Sequence, residues 1–286
     1  MPSAYFSFGS SRIHYSYWGT GDRLLLCFHG YGESSASFAF LEEALGGQLT
    51  ILAIDLPYHG GTEWLGGFYL DPRDLLTILD GIIAGLPCQS EGWWLLGYSM
   101  GGRVALQLLQ LAPEKVRRMI LLAPDGLIVN PWYWLATQTR LGNTLFRATM
   151  RRPGWFFSLL RLANVLKLVN PSVYKFTIHY IHDEPFRQDL YIRWTTMRGF
   201  RPRLPVIRDI IRSGQLPVAL IYGRYDRIIR WERGEKFRKK GIADYCRLTL
   251  LPAGHQVLQT QYLDVLRSAL KEGGGLFASP GVNTSL

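Results

Sequence analysis

Ser99 stands in the middle of Gly97-Tyr98-Ser99-Met100-Gly101, between the apolar run Trp93-Trp94-Leu95-Leu96 and the helix-like run that starts at Arg103. A serine at the apex of a strand, tight turn and helix in the pattern G-x-S-x-G is held in a strained conformation, with its hydroxyl lifted clear of the sheet. Side chains at positions 97 and 101 would collide across so tight a turn. The first amides of the following helix, including that of Met100, point at whatever the hydroxyl attacks. A hydroxyl is a weak nucleophile until a base takes its proton, and the base needs an acid to fix its tautomer. The chain order in such sites is serine, acid, histidine. Of the 6 histidines, His179, His182 and His255 follow Ser99. His255, in Ala253-Gly254-His255-Gln256, follows the last strand-like run, and open α/β sheets bind ligands at the carboxyl ends of their strands. It is the expected base; His179 and His182 suit surface or packing roles equally well. Two acids also end strand-like runs, Asp226 in Ile221-Tyr-Gly-Arg-Tyr-Asp226 and Asp125 in Leu122-Ala-Pro-Asp125. Asp226 is favoured because its loop lies next to the strand that delivers His255. The oxyanion formed on attack needs two backbone N–H donors, expected from Met100 and from Tyr31 in His29-Gly30-Tyr31-Gly32. His29 is expected to prop that loop by hydrogen bonding, and Asp55 to secure its own.

The elements that must hold these residues alternate along the chain. Tyr5 to Phe8 and Ile13 to Trp18 alternate as two antiparallel strands around a Gly9-Ser10-Ser11 turn. Leu24–Phe28 and Thr50–Asp55 are continuous apolar runs, as strands buried on both faces require. A helix is expected from about Ser35 to Leu45 and another from Asp71-Pro72, with proline at the first helical position, to about Gly85. The Trp93 strand, the Ser99 turn, a helix to about Ala112 and the strand Met119–Ala123 follow. From Leu127 to Ser213 the alternation stops, and aromatic, Leu and Arg residues recur at helical spacing. It resumes with the strand Val218–Tyr222, a helix over 231–240, the strand Arg247–Leu251 and a helix over 257–271; the final stretch from Glu272 reads as a frayed tail. The pattern predicts an α/β fold with a mostly parallel sheet covered on both faces. The core is expected over 1–126 and 214–286, with an inserted helical cap over 127–213.

The motifs HGYG, DLPYHGGT, GYSMGG, GRYD and AGH, in this order and at these intervals, resemble a serine hydrolase of the α/β-hydrolase superfamily, in its capped, esterase- or lipase-like branch. The resemblance covers about Arg12 to Leu270 apart from the insertion. It implies an eight-stranded sheet, a triad of Ser99, Asp226 and His255, and amide donors at Tyr31 and Met100. It also implies hydrolysis of small or lipid-like carboxylic esters through an acyl-enzyme. Relatives with an aspartate nucleophile, such as haloalkane dehalogenases and epoxide hydrolases, are excluded by Ser99. A C–C bond hydrolase of the diketone-cleaving kind and a ligand-binding receptor with little turnover are the alternatives that the serine leaves open.

Charge sets the insertion apart. The chain of 286 residues carries a net charge of +10, and Leu127 to Ser213 holds 14 Lys and Arg against 4 Asp and Glu, so the remainder is neutral. The plainest reading is a lid whose apolar faces pack inward while arginines are solvated. The other is peripheral contact of a basic, aromatic face with an anionic membrane or amphiphile. Nucleic acid fits poorly, because no binding motif accompanies the charge. Cys27, Cys88 and Cys246 are odd in number and lack metal-ligand spacing, so buried thiols in a reducing compartment are expected, with no metal and no cofactor. No apolar run reaches the roughly 18 residues of a spanning helix, and the opening residues lack the basic-then-apolar pattern of a secretory signal. These features predict a cytoplasmic protein acting on a small-molecule ester; the oligomeric state is left open.

Overall fold

The computed structural model describes residues 2–88, 90–128, 131–169, 174 and 181–271. Eight strands, β1 (Ser3–Phe8), β2 (Ser11–Trp18), β3 (Arg23–Phe28), β4 (Leu49–Ile54), β5 (Trp93–Tyr98), β6 (Val116–Leu122), β7 (Val218–Gly223) and β8 (Cys246–Leu251), form one sheet in the order β1-β2-β4-β3-β5-β6-β7-β8. β1 pairs with β2 and β2 with β4 antiparallel; every other pairing is parallel. The continuous apolar runs are the reason for the parallel centre. Every residue of β4, β5 and β7 is buried, as strands covered on both faces must be, whereas β1 at the edge alternates between half-buried and exposed positions. Parallel register brings the strand ends into line: Phe28 pairs with Ile54 and with Gly97, and Tyr98 with Leu122. His29, Asp55, Ser99, Asp226 and His255 all follow carboxyl ends on that one edge of the sheet.

The first helices are α1 (Leu41–Leu45), α2 (Pro72–Ala84) and α3 (Met100–Leu111). The helix expected from Ser35 is a 3₁₀ turn over Ser35–Phe38 followed by the short α1. Asp71 caps α2 by accepting from the Arg73 amide at 2.9 Å, with Pro72 in the first turn. Next come α4 (Pro131–Gln138), α5 (Arg140–Arg151), α6 (Gly154–Val165), α7 (Glu184–Thr196) and α8 (Leu204–Ser213), then α9 (Glu232–Arg238) and α10 (Leu263–Leu270). The last helix expected over 257–271 is confined to a 3₁₀ turn at Thr260–Tyr262 and α10.

The chain forms two compact units, one of Met1–Leu65, Asp71–Ile128 and Phe200–Leu286, the other of Gly66–Leu70 and Val129–Gly199. The larger unit holds the sheet and also α8, a segment read from the sequence as part of the insertion. α8 packs on α3 through Ile207 and Ile211, both fully buried, and its approach is fixed where Gln107 and Gln110 accept from the amides of Arg201 and Arg203 at 2.9 and 2.7 Å. The smaller unit is built on α4, α5 and α7. Phe146 lies 5.5 Å from Tyr191 and 5.8 Å from Trp194, ring to ring, and Asn143 joins the helices by donating to Ala136 O and Thr195 Oγ1 while accepting from the Tyr191 hydroxyl. The buried Arg187 donates to the carbonyls of Met150, Ile181 and His182, so its charge is met by peptide oxygens. Cys27, Cys88 and Cys246 are buried free thiols. Among the described residues no helix is long and apolar enough to cross a membrane. His179 and the tail from Glu272 lie outside the described residues.

Candidate active site

The turn between β5 and α3 has the strain expected of it. Ser99 adopts φ 50° and ψ −114°, a region that side chains avoid. Its amide donates to Leu122 O at 2.9 Å, and its carbonyl accepts from Gly102 and Asp125, so the end of β6 and the loop after it hold the turn in place. The glycines are needed for close approach. A Cβ on Gly97 would lie 2.5 Å from Gly101 O, and one on Gly101 would lie 1.9 Å from Phe28 O. The start of α3 is thereby pressed against the end of β3, from which the His29-Gly30-Tyr31-Gly32 loop departs.

The three residues from separate strand ends meet in one hydrogen-bonded chain. His255 Nε2 lies 3.0 Å from Ser99 Oγ, and His255 Nδ1 lies 2.8 Å from Asp226 Oδ2. Asp226 is buried, and burial alone would raise its pKa; the hydrogen bonds from His255 and from the Ile229 and Ile228 amides outweigh that and hold the carboxyl below the usual range. An ionised carboxylate only accepts, so His255 Nδ1 carries a proton, and on the neutral ring Nε2 is the acceptor for the Ser99 hydroxyl. Asp125, the other acid, is turned elsewhere: its Oδ2 pairs with Arg103 Nη2 at 2.9 Å and its Oδ1 accepts from the Gly126 amide.

The loop that carries Tyr31 is tied down from beneath. His29 is fully buried, with Nδ1 2.8 Å from Gly30 O and Nε2 accepting from the Leu56 amide at 3.0 Å. Gly30 runs so close to the serine that a Cβ there would stand 3.0 Å from the Tyr98 ring and 3.4 Å from Ser99 Cβ. Gly32 takes φ 76°, a conformation glycine reaches without cost. Asp55 secures the adjoining loops: its carboxylate accepts from the amides of Ser35 and Gly61 and from His14 Nδ1 at 2.7 Å. His182, the remaining described candidate, belongs to the smaller unit, where its ring lies 6.2 Å from that of Phe157.

Two further residues at the site were not singled out by the sequence reading. Tyr98 packs its ring 5.6 Å from that of His255 and donates to Gln256 Oε1 at 3.0 Å, a brace for the loop that presents His255. Burial, with the charges of Glu33 and Asp226, raises its pKa out of reach of ordinary pH. Glu33 has a buried Oε2 with no hydrogen-bond partner. Burial raises its pKa, against hydrogen bonds from Ser37 and the Gly30 backbone and the attraction of His255. The available signals were a bulky aromatic between Gly97 and Ser99, and an acid in the glycine-rich loop. Among the described residues no group of three or more His, Cys, Asp or Glu is placed to hold a metal ion.

The profile of the alpha/beta hydrolase fold family matches residues 23–259, a span that takes in the Ser99 turn, Asp226 and His255. The chain belongs to this family. It is 25% identical over 239 residues to the uncharacterized hydrolase YugF of Bacillus subtilis, covering 82% of this chain and 85% of that one. It is 24% identical over 209 residues to the pimeloyl-[acyl-carrier protein] methyl ester esterase of Chromobacterium violaceum, covering 71% of this chain and 76% of the esterase. Among solved structures, a thermophilic esterase from Thermogutta terrifontis superposes with a TM-score of 0.63 at 17% identity, over 94% of this chain and 97% of that one. That likeness establishes the shared α/β-hydrolase fold.

Proposed function

We propose that this family member is a serine hydrolase of carboxylic esters, and the observation that carries the reading is the Ser99–His255–Asp226 chain, with contacts of 3.0 and 2.8 Å. Ser99 Oγ attacks the ester carbonyl as His255 Nε2 takes its proton, and ionised Asp226 stabilises the imidazolium that forms. The amides of Tyr31 and Met100 receive the oxyanion. His255 then returns the proton to the leaving alcohol, which departs to give an acyl-enzyme. In the second half His255 activates water, and its attack releases the acid and restores Ser99. Esters are favoured over other acyl compounds because a methyl ester esterase is among the relatives that align over most of this chain. The insertion leaves the sheet unit just past the carboxyl end of β6.

Labelling with a fluorophosphonate tests the reading directly. The wild-type chain is expected to take up one equivalent at Ser99, and Ser99→Ala none, with kcat on short-chain esters falling by about 10⁶. Retention of a tenth of the activity in Ser99→Ala would refute the assignment. A panel of esters and thioesters of graded acyl length then defines the substrate class.

A further inference from the structure

The smaller unit carries most of the exposed apolar surface. Among the described residues, thirteen of the eighteen large apolar side chains left exposed belong to it. They are ordered. Residues of an α-helix advance by about 100° each, so Trp155, Leu159 and Leu162 fall on one stripe of α6. These three are 46%, 56% and 55% exposed, and Leu166, at 58%, continues the line past the helix end. On α5, Leu141 and Leu145 form a similar row, 81% and 52% exposed, flanked by a second row of exposed Arg140, Arg147 and Arg151.

Along the segment that carries these rows the charge has one sign, and the nearest acids, Asp183, Glu184 and Asp189, belong to α7 and its cap. Leu127 to His182 contains seven Lys or Arg and no Asp or Glu. Exposed apolar rows of this kind mark a contact site, and the charge selects among occupants. A second copy would bring cations against cations. Nucleic acid would satisfy the arginines and leave the leucine rows in water. An anionic bilayer satisfies both, because its interfacial layer accepts Trp and Leu side chains while its headgroups meet the cations.

We propose that α5 and α6 dock this chain on the surface of an anionic lipid bilayer, with Trp155, Leu159 and Leu162 entering the interfacial layer and Arg147 and Arg151 lying at the phosphates. The helices lie in the plane of the surface and do not cross it. Docking is independent of the hydrolase reading, so the Ser99→Ala chain serves for all binding measurements and also excludes cleavage of the lipid.

The experiment is co-sedimentation with large vesicles of phosphatidylglycerol and phosphatidylcholine in equal parts, compared with phosphatidylcholine alone. Tryptophan quenching by brominated acyl chains is read in parallel. Binding to the anionic vesicles is expected at low ionic strength, with loss at about 0.5 M salt, where screening shortens to a few Å. Each cation near such a surface contributes roughly a fivefold factor, so Arg147→Glu/Arg151→Glu should weaken binding at least about 25-fold. Leu159→Glu/Leu162→Glu should weaken it as well, although the charge it changes lies on the apolar stripe, and Trp155→Phe should lose part of the brominated-lipid quenching. Both sets of positions are exposed, and an unchanged melting temperature shows that each variant folds. Equal or negligible binding to the two vesicle types overturns the proposal. So does anionic binding without quenching, which would indicate a purely electrostatic surface for an acidic partner, or self-association that covers the face before lipid is added.

Discussion

Replacing Asp226 by Asn separates the role of its charge from the role of its shape, and the structure fixes what the amide would do. Oδ1 accepts from two backbone amides, Ile228 at 2.7 Å and Ile229 at 2.9 Å, and Oδ2 faces His255 Nδ1 at 2.8 Å. An asparagine has one acceptor and one donor for these two places. With its oxygen toward the two amides, its NH₂ group faces Nδ1 and forces the ring to carry its proton on Nε2. That nitrogen then donates to Ser99 Oγ and can no longer take the serine proton. The reverse orientation sets NH₂ against two N–H groups and leaves them unsatisfied, at about 1–3 kcal/mol each. The first orientation therefore prevails, and the base is lost while the fold is kept. The expected fall in kcat is about 10⁴, or about 5 kcal/mol of transition-state stabilisation. Hydrolysis of a chromogenic short-chain ester measures it, with Asp125→Asn as the control. Asp125 is paired with Arg103, so its variant should keep kcat within a few-fold of wild type. Loss of less than tenfold in Asp226→Asn, or an equal loss in Asp125→Asn, would refute this assignment of the acid.

The strain at Ser99 should be recoverable: with φ 50°, Ser99→Gly is expected to raise stability by about 1–2 kcal/mol while abolishing activity, read from urea midpoints. Asp226 has a folded pKa below its ordinary value, so its contribution to stability is present above that value and is lost as pH falls through the folded pKa; the gap in melting temperature between wild type and Asp226→Asn should close in acid. Glu33 has the opposite sign. Its pKa is raised, so its contribution is present below the ordinary glutamate value and is lost as pH rises through the folded one; Glu33→Gln should therefore melt higher than wild type at neutral pH, with the gain vanishing in acid.

Much of the site was legible because its residues sit where the alternation of strands and helices ends each strand. The buried runs Leu24–Phe28 and Trp93–Tyr98 declare themselves as parallel strands, and parallel register places whatever follows them on one edge. The order of His29, Ser99, Asp226 and His255 along the chain thus puts all four at strand ends on that edge, where His255 lies within hydrogen-bonding distance of Ser99 and Asp226. Helix ends were less legible. Apolar spacing over 35–45 and 257–271 fits a helix, yet tertiary packing limits the regular part to Leu41–Leu45 and Leu263–Leu270. The composition of α8 matches that of the insertion, and periodicity cannot tell which sheet or helix a buried stripe such as Ile207 and Ile211 will meet. The surroundings of Tyr98 and Glu33 depend on loop geometry that spacing does not encode.

Burial treats the two carboxyls at the site alike, and their hydrogen bonds drive them apart. Asp226 meets two backbone amides and the imidazole N–H, each a donor only the charged form uses fully, so ionisation is retained in a buried place. Glu33 keeps one oxygen without a partner, and its remaining bonds do not offset the lost solvation. The two acids thus shift in opposite directions: the turn after β7 aims the Ile228 and Ile229 amides at Asp226, while burial of Glu33 outweighs the hydrogen bonds that it receives.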